Sequence, residues 1–440
     1  MSYLNVLSLA GILFLSFLAW LFSSSKKIIN WKVVGWGLGL QLLFAFFIFL
    51  VPAGGKIFLV VNEVVVRVLD SATAGIKFLF GRLALPPGTS NESGETSLGF
   101  ILAFQALPTV VFFAALVGAL YYLRVMPFLI QLFARVFTRL MKISGAESLC
   151  VSSNIFVGVE SSLVVRPYLQ QMTYSELGTI LTAGLATIAS SVLSLYVMIL
   201  RAGLPTIAGH LVSASLLSAP AALVTSKLMF PETGQPLTLG LEVKPYYEKE
   251  DNLILAVING ANSGLKLLGG IVALLLAFLG LLALLDLVLG WLGGYLNQLL
   301  GWSVQWQVSS LLSYMFYPLT LVMGVNPQDA FLVARLLGER VVATELVSYQ
   351  HLAEMLQSGA FYDPRSAIIA SYALCGFAHV ASLAIFVGGI GALAPGRLKD
   401  LSRLGFKALL AATLACLLTG AVAGVFYTGS SVLFGQWPSF

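Results

Sequence analysis

Four short stretches concentrate the residues that could do chemistry. The first is Asn154-Ile-Phe-Val-Gly158-Val-Glu160-Ser-Ser162, which places an acid, an amide, two hydroxyls and a glycine within nine residues. The second, Ala343-Thr344-Glu345-Leu-Val-Ser348, carries another acid among apolar neighbours. A carboxylate accepts two hydrogen bonds at once, which suits a vicinal diol such as ribose. The competing role is structural: Glu160 held by a basic group, Glu345 bridged to Arg335 or Arg340. The third stretch holds Phe377, His379 and Ser382. His379 and Ser382 are three residues apart and share a helical face if the segment is regular. A break near Gly376 would free Phe377 to stack on a base; otherwise it is core. His379 is open to three roles: satisfied core residue, proton carrier or hydrogen-bonding partner of a solute. The fourth is Ser190-Ser191, whose hydroxyls are hard oxygen ligands for Na⁺ unless they bond back to their own helix.

Enzyme signatures are missing. The chain contains no HExxH, P-loop, GxSxG or nucleotide fingerprint, which speaks against an enzyme and against ATP-driven transport. His210 and His351 have no metal-ligand partners at useful spacing, and Cys150, Cys375 and Cys416 sit singly in apolar surroundings as packing residues. Of the 440 residues, 58% are hydrophobic and 10% charged, where soluble domains carry roughly 25% charged residues. Mean hydropathy is +0.94. Apolar runs of about 20 residues recur, the length that crosses ~30 Å of hydrocarbon. The composition predicts an all-α polytopic membrane protein. The net charge of +5 is scattered between apolar runs, so it predicts membrane orientation rather than a nucleic-acid partner.

The elements that must position these residues follow from hydropathy. Spans are expected at 4–22 and 33–52, the first read as a span and not a cleaved signal. An amphipathic stretch at 55–83 suits a helix lying along the interface. A polar loop, Pro86–Thr96, follows, with the formal sequon Asn91-Glu92-Ser93 read as chance. Further spans are expected at 99–123, 174–200, 206–229, 264–296, 365–392 and 406–428. Between them lie two basic or acidic interrupted stretches, 124–168 and 303–352, and a charged connector, Glu242–Asp251. Lys26, Lys27 and Lys32 place the first turn inside, as Arg397, Lys399, Arg403 and Lys407 place the turn Gly396–Lys407. Both termini are then outside.

The order span, broken hairpin, span, span occurs twice. This divides the chain into scaffold spans and interfacial helix (1–98), a first repeat (99–229), a connector (230–263), a second repeat (264–428) and a tail (429–440). Gly184-Leu-Ala-Thr-Ile-Ala-Ser190 echoes Gly376-Phe-Ala-His-Val-Ala-Ser382, with Gly, Ala, Ala and Ser at identical offsets. The predicted topology makes the repeats inverted: about eight transmembrane helices plus two re-entrant hairpins. Such repeats mark secondary transporters, with the site where they meet.

The residues then resemble a known family. Asn154-Ile-Phe-Val followed by Glu160, and Leu163-Val-Val-Arg-Pro-Tyr-Leu169, resemble the first hairpin of the concentrative nucleoside transporters. Phe104–Phe113, Ser218–Ala222, Tyr317–Gly324 with Asp329, Thr344–Tyr349 and Ala373–Ala378 continue the resemblance in order from about 100 to 428. The first 95 residues fit in layout alone. The resemblance implies a bacterial-type member in the inner membrane: a homotrimer, each subunit with a scaffold and an elevator-like transport domain importing nucleosides with Na⁺, or with H⁺ in some members. By position it implies that Glu345, His379 and Ser382 face the ribose, that Gly158, Val159, Glu160, Leu195 and Phe377 face the base, and that Asn154, Val157, Ser190, Ser191 and Val192 surround Na⁺.

Three positions depart from the family pattern. The first tip is one residue short, and Val159 offers no side-chain hydrogen bond. His379 stands where the family has Asn at the ribose, and Thr344 where it has Asn before the acid. These changes leave a modified nucleoside, a nucleobase or another polar metabolite as alternative substrates, with His379 keeping proton coupling open. From another class, a passive channel or membrane-embedded sensor is the alternative.

Overall fold

A computed structural model describes residues 2–90, 94–247 and 249–429. The sequon at 91–93 and residues 430–440 of the tail lie outside them. α1 (Tyr3–Leu21) and α2 (Trp31–Phe49) open the chain, the second started by Asn30, whose side chain accepts a hydrogen bond from the Val33 N–H at 3.3 Å. α3 (Pro52–Phe80) begins with proline at its first helical position, where the missing N–H costs nothing. Its buried stripe of Phe58, Leu69, Ala72 and Ile76 opposes a charged face, the pattern of an interfacial helix. Pro108 divides the next span into α4 (Leu102–Gln105) and α5 (Thr109–Tyr122).

The interrupted stretch 124–168 resolves into two parts. α6 (Val125–Met141) is an amphipathic helix bounded by Arg124 and Lys142, both left-handed. The hairpin proper follows: α7 (Gly145–Asn154), a non-helical tip at Ile155–Gly158, a 3₁₀ turn over Val159–Val165, and α8 (Arg166–Leu169). The span expected at 174–200 is not continuous. α9 (Tyr174–Ala186) ends where Thr187 turns extended (φ −118°, ψ 169°), and α10 (Ser190–Leu200) restarts it. α11 (Ile207–Met229) closes the first repeat.

α12 (Leu253–Leu300) runs 48 residues, starting eleven residues before the predicted boundary because Asn252 caps it through the Leu255 N–H at 2.9 Å. It seats on α5 by close approach of small residues: a Cβ on Gly118 would stand 2.6 Å from the Ala256 carbonyl oxygen. The stretch 303–352 becomes α13 (Val308–Val322), α14 (Ala330–Val342) and α15 (Glu345–Gln357). The second tip, Ala343-Thr344, separates the last two. The span expected at 365–392 is likewise divided into α16 (Pro364–Ala373) and α17 (Val380–Leu393), and α18 (Leu398–Phe426) completes the chain. Among the described residues, seven helical segments are long and apolar enough to cross a bilayer.

Burial sorts these elements into two bodies. The apolar windows of α9–α10, α11 and α18 are 89% buried, and that of α12 is 0% buried. The first three form the core around which hairpins and outer helices pack; α12 presents its apolar surface outward. Asn5 of α1 donates to the Val425 and Tyr427 carbonyls at 2.8 Å each, so the start of α1 and the end of α18 share one end of the bundle. The basic turns share the other: Lys407 Nζ donates to Ser24 Oγ at 2.6 Å, and Arg397 to the Gln170 carbonyl at 3.1 Å.

The two echoing heptapeptides are where the two spans break, at Thr187–Ala189 and at Leu374–His379. The breaks touch. A Cβ on Gly376 would stand 2.6 Å from Cys416 Sγ and 2.9 Å from the Ala186 carbonyl oxygen. Glycine is required there because the backbones cross at contact distance. Gly376→Val is expected to destabilise the protein by about 1–3 kcal/mol through overpacking. Thermal unfolding in detergent checks this, and an unchanged midpoint would mean that the crossing has slack.

Candidate functional site

The crossing makes one chamber. Gly158, Val159, Glu160, Leu195, Glu345, Phe377, His379 and Ser382 all line a single cavity. Hairpin one supplies the first three, α10 supplies Leu195, the second tip supplies Glu345, and the broken α16–α17 span supplies the rest. Leu267, Ile271, Leu274 and Leu275 of α12 close the remaining side with hydrocarbon.

Glu345 sits at the first position of α15, where Thr344 caps the helix through the Val347 N–H. A carboxylate at a helix N-terminus is favoured by the dipole. It is buried, and neither Arg335 nor Arg340 bridges it: Arg335 is exposed, and Arg340 donates to the Ala373 carbonyl at 2.5 Å. Its partners are instead Tyr196, whose hydroxyl donates to Oε1 at 2.5 Å, and His379, whose Nε2 lies 2.8 Å from Oε2. That second approach falls outside hydrogen-bond geometry and leaves Oε2 without a hydrogen-bond partner.

His379 caps α17. Its Nδ1 accepts the Ser382 N–H at 3.2 Å, and its Nε2 is 2.5 Å from Ser382 Oγ. An accepting Nδ1 assigns the proton of the neutral ring to Nε2. The imidazole is thus fixed by its helix, with a donor edge turned towards Ser382 and Glu345. His379 and Ser382 do share a face, through a cap rather than through a regular helix. Phe377 lies in the break, half-buried, freed from helical register as a gap near Gly376 requires.

Glu160 forms no ion pair among the described residues and faces the open cavity. Behind it, hairpin one is stitched to the start of α10. Ser190 donates to the Phe156 carbonyl twice, from N–H at 2.9 Å and from Oγ at 2.6 Å, so its hydroxyl is not bonded back to its own helix. A hydroxyl that donates to a carbonyl still presents its lone pairs. Asn154 Oδ1 accepts from Ser161 Oγ at 2.8 Å, and the Val157 N–H donates to the Ser153 carbonyl at 2.9 Å. The Ser191 carbonyl accepts from Ser194 Oγ at 2.5 Å, while Val192 reaches the chamber wall. Of the five residues expected around Na⁺, Asn154 and Val157 belong to the first hairpin and its tip and Ser190, Ser191 and Val192 to the start of α10, the two segments joined by the Ser190–Phe156 hydrogen bonds. No cluster of three or more His, Cys, Asp or Glu that could hold a metal occurs among the described residues. His210 contacts the Tyr372 hydroxyl at 3.1 Å and His351 pairs with Glu339 at 2.7 Å. All three cysteines are buried.

Sequence reasoning missed Tyr196 and the α12 wall. A tyrosine in the middle of an apolar run implies a partner for its hydroxyl, and that was the available signal. The four α12 residues carried none, being aliphatic residues in an aliphatic helix.

The chain matches three family models: the Na⁺ dependent nucleoside transporter N-terminus over residues 10–83, nucleoside recognition over 103–203, and the Na⁺ dependent nucleoside transporter C-terminus over 210–424. It is 36% identical to mouse (Mus musculus) solute carrier family 28 member 3 over 96% of this chain and 59% of that protein. The chain spans 58–61% of the length of this protein and its rat, human and hagfish counterparts. It is 37% identical to an uncharacterized transporter of Haemophilus influenzae over 95% of this chain and 97% of that one. Among solved structures, CNTnw in an inward-facing substrate-bound state superposes with a TM-score of 0.85 at 33% identity, covering 96% of this chain and 98% of that chain.

Tyr196→Phe keeps the ring but removes the donor to Glu345. Losing a hydrogen bond to a buried charge costs about 1.5–3 kcal/mol. Chemical denaturation in detergent should show that loss; wild-type stability would mean that Tyr196 does not hold the carboxylate.

Proposed function

The chain belongs to the Na⁺-dependent, concentrative nucleoside transporter family, a family of transporters and not of enzymes, and from that premise we propose that it imports nucleosides by Na⁺ symport. One observation carries the proposal: the eight residues assigned to substrate line one chamber, directly in front of the oxygen-rich junction assigned to Na⁺. Glu345 Oε2 and His379 Nε2 accept from and donate to the ribose hydroxyls, with Ser382 beside them. Phe377 and Leu195 flank the base, and Gly158, Val159 and Glu160 close over it. Na⁺ binds at Asn154, Val157, Ser190, Ser191 and Val192, and orders the hairpin-one tip that completes the chamber. Ion and solute then tighten each other by the same factor.

Alternating access is elevator-like: the buried body carrying both hairpins moves against α5 and α12. Homotrimers form through the outward helices, in the inner membrane of a bacterial cell, with the basic turns inside and both termini outside. This placement agrees with the grouping of Lys407, Ser24 and Arg397 at one end and Asn5 and Tyr427 at the other. A second reading rests on His379. Its ring, 2.8 Å from Glu345, offers a protonation site inside the chamber, so H⁺ could replace Na⁺, and the altered pocket could take a modified nucleoside, a nucleobase or another polar metabolite.

Uptake of labelled uridine and adenosine into proteoliposomes separates the readings. Accumulation above the outside concentration under a Na⁺ gradient alone supports the first, and under a proton gradient alone the second. Equilibration without accumulation would make the chain a passive channel. Glu345→Gln should weaken ribonucleoside uptake by roughly 10- to 150-fold, the equivalent of ~1.5–3 kcal/mol. Ser190→Ala should raise the Na⁺ concentration for half-maximal uptake; an unshifted Na⁺ dependence would remove Ser190 from the ion site.

A further inference from the structure

Beside the central chamber lies a second cavity, and Glu160 is in the wall of both. The second is the roomier, about 330 Å³ against about 90 Å³. A solute passing Glu160 out of the central chamber on this side enters it. Four tyrosines line it, Tyr121 and Tyr122 from the end of α5 and Tyr246 and Tyr247 from the connector before α12, together with the charged Arg124, Lys249 and Glu250. Asn259 of α12 adds an amide, oriented by donation from its Nδ2 to Glu250 Oε1 at 3.0 Å. Ring faces with a few polar groups are what planar heteroaromatic rings bind, because every base has a face to stack.

The connector is also tied to hairpin one. The Tyr246 N–H donates to the Val164 carbonyl at 2.9 Å, and Ser144 Oγ meets Thr238 Oγ1 at 2.8 Å. One of the four tyrosines, Tyr246, is therefore tied through its backbone to the hairpin that closes the central chamber.

We propose that this tyrosine-walled cavity is a second, weaker binding site for the nucleobase of the transported solute, occupied on the way between the central chamber and the aqueous phase on the hairpin-one side. The inference rests on the nucleoside reading above. It makes the pathway a two-station one, with base stacking at the outer station and hydroxyl recognition at the inner.

Equilibrium binding of labelled adenosine to the purified full-length chain tests it. Wild type should show a tight, Na⁺-dependent phase and a weaker, Na⁺-independent saturable phase. Glu345→Gln should lose the tight phase and keep the weak one. Tyr122→Ala/Tyr247→Ala should weaken the weak phase by roughly 5- to 150-fold, which corresponds to ~1–3 kcal/mol of stacking, and leave the tight phase in place. The matching Phe variants, which keep the rings, should restore it. A tight phase with no weak phase in wild type, or a weak phase indifferent to the alanine pair, overturns this inference alone. No adenosine binding of either kind overturns the nucleoside reading and this inference with it.

Discussion

Breaking a helix in hydrocarbon frees backbone donors and acceptors that no water can satisfy. This protein breaks two spans and inserts two non-helical tips at one place, so each irregular segment has to satisfy another. The Phe156 carbonyl of the first tip takes both the N–H and the hydroxyl of Ser190. Ser215 Oγ donates to the Ile155 carbonyl beside it at 2.8 Å. At the second break, Arg340 covers the Ala373 carbonyl and Tyr349 the Ser371 carbonyl at 2.9 Å, while the His379 ring receives the Ser382 N–H in the first turn of α17. The chamber exists because these mutual caps hold four chain interruptions against one another.

The same requirement explains the other polar groups of the interior. Lys227 and Glu147, both almost wholly buried, pair at 2.6 Å, joining the end of α11 to the start of hairpin one. Arg365 is spent on the Gly324 and Gly424 carbonyls at 2.7 Å each and on Ser8. Charge in this bundle is largely committed to ends and turns of the backbone. Glu160 stands apart: it is exposed to a cavity, and no ion pair to it occurs among the described residues.

Much of the site was legible because polar residues in apolar runs are conspicuous. Glu160, Glu345, Asn154, His379 and the paired serines stood out for that reason, and the echo between 184–190 and 376–382 pointed to a repeat, though both spans were expected to run unbroken through it. The break inside 174–200 was less legible, since Thr187-Ile-Ala carries neither proline nor glycine and its interruption is imposed by the tip packed against it. The early start of α12 was hidden by Asn259 and Asn262, which depress hydropathy without opposing a helix. Leu195 entered only through family resemblance, because a leucine among leucines has no signature of its own.

From Leu267 to Leu285, α12 carries no side chain able to form a strong hydrogen bond, and four of its residues are the wall opposite Glu345 and Phe377. A wall of this kind has no directional register. Displacing the chamber along it exchanges one aliphatic contact for another and breaks no side-chain hydrogen bond to that wall, so resistance comes from the ridges of leucine and isoleucine alone. It behaves as a low-friction bearing, and the energetic landmarks of any such travel must lie at its ends, in the connector and the hairpin bases, where the polar contacts are.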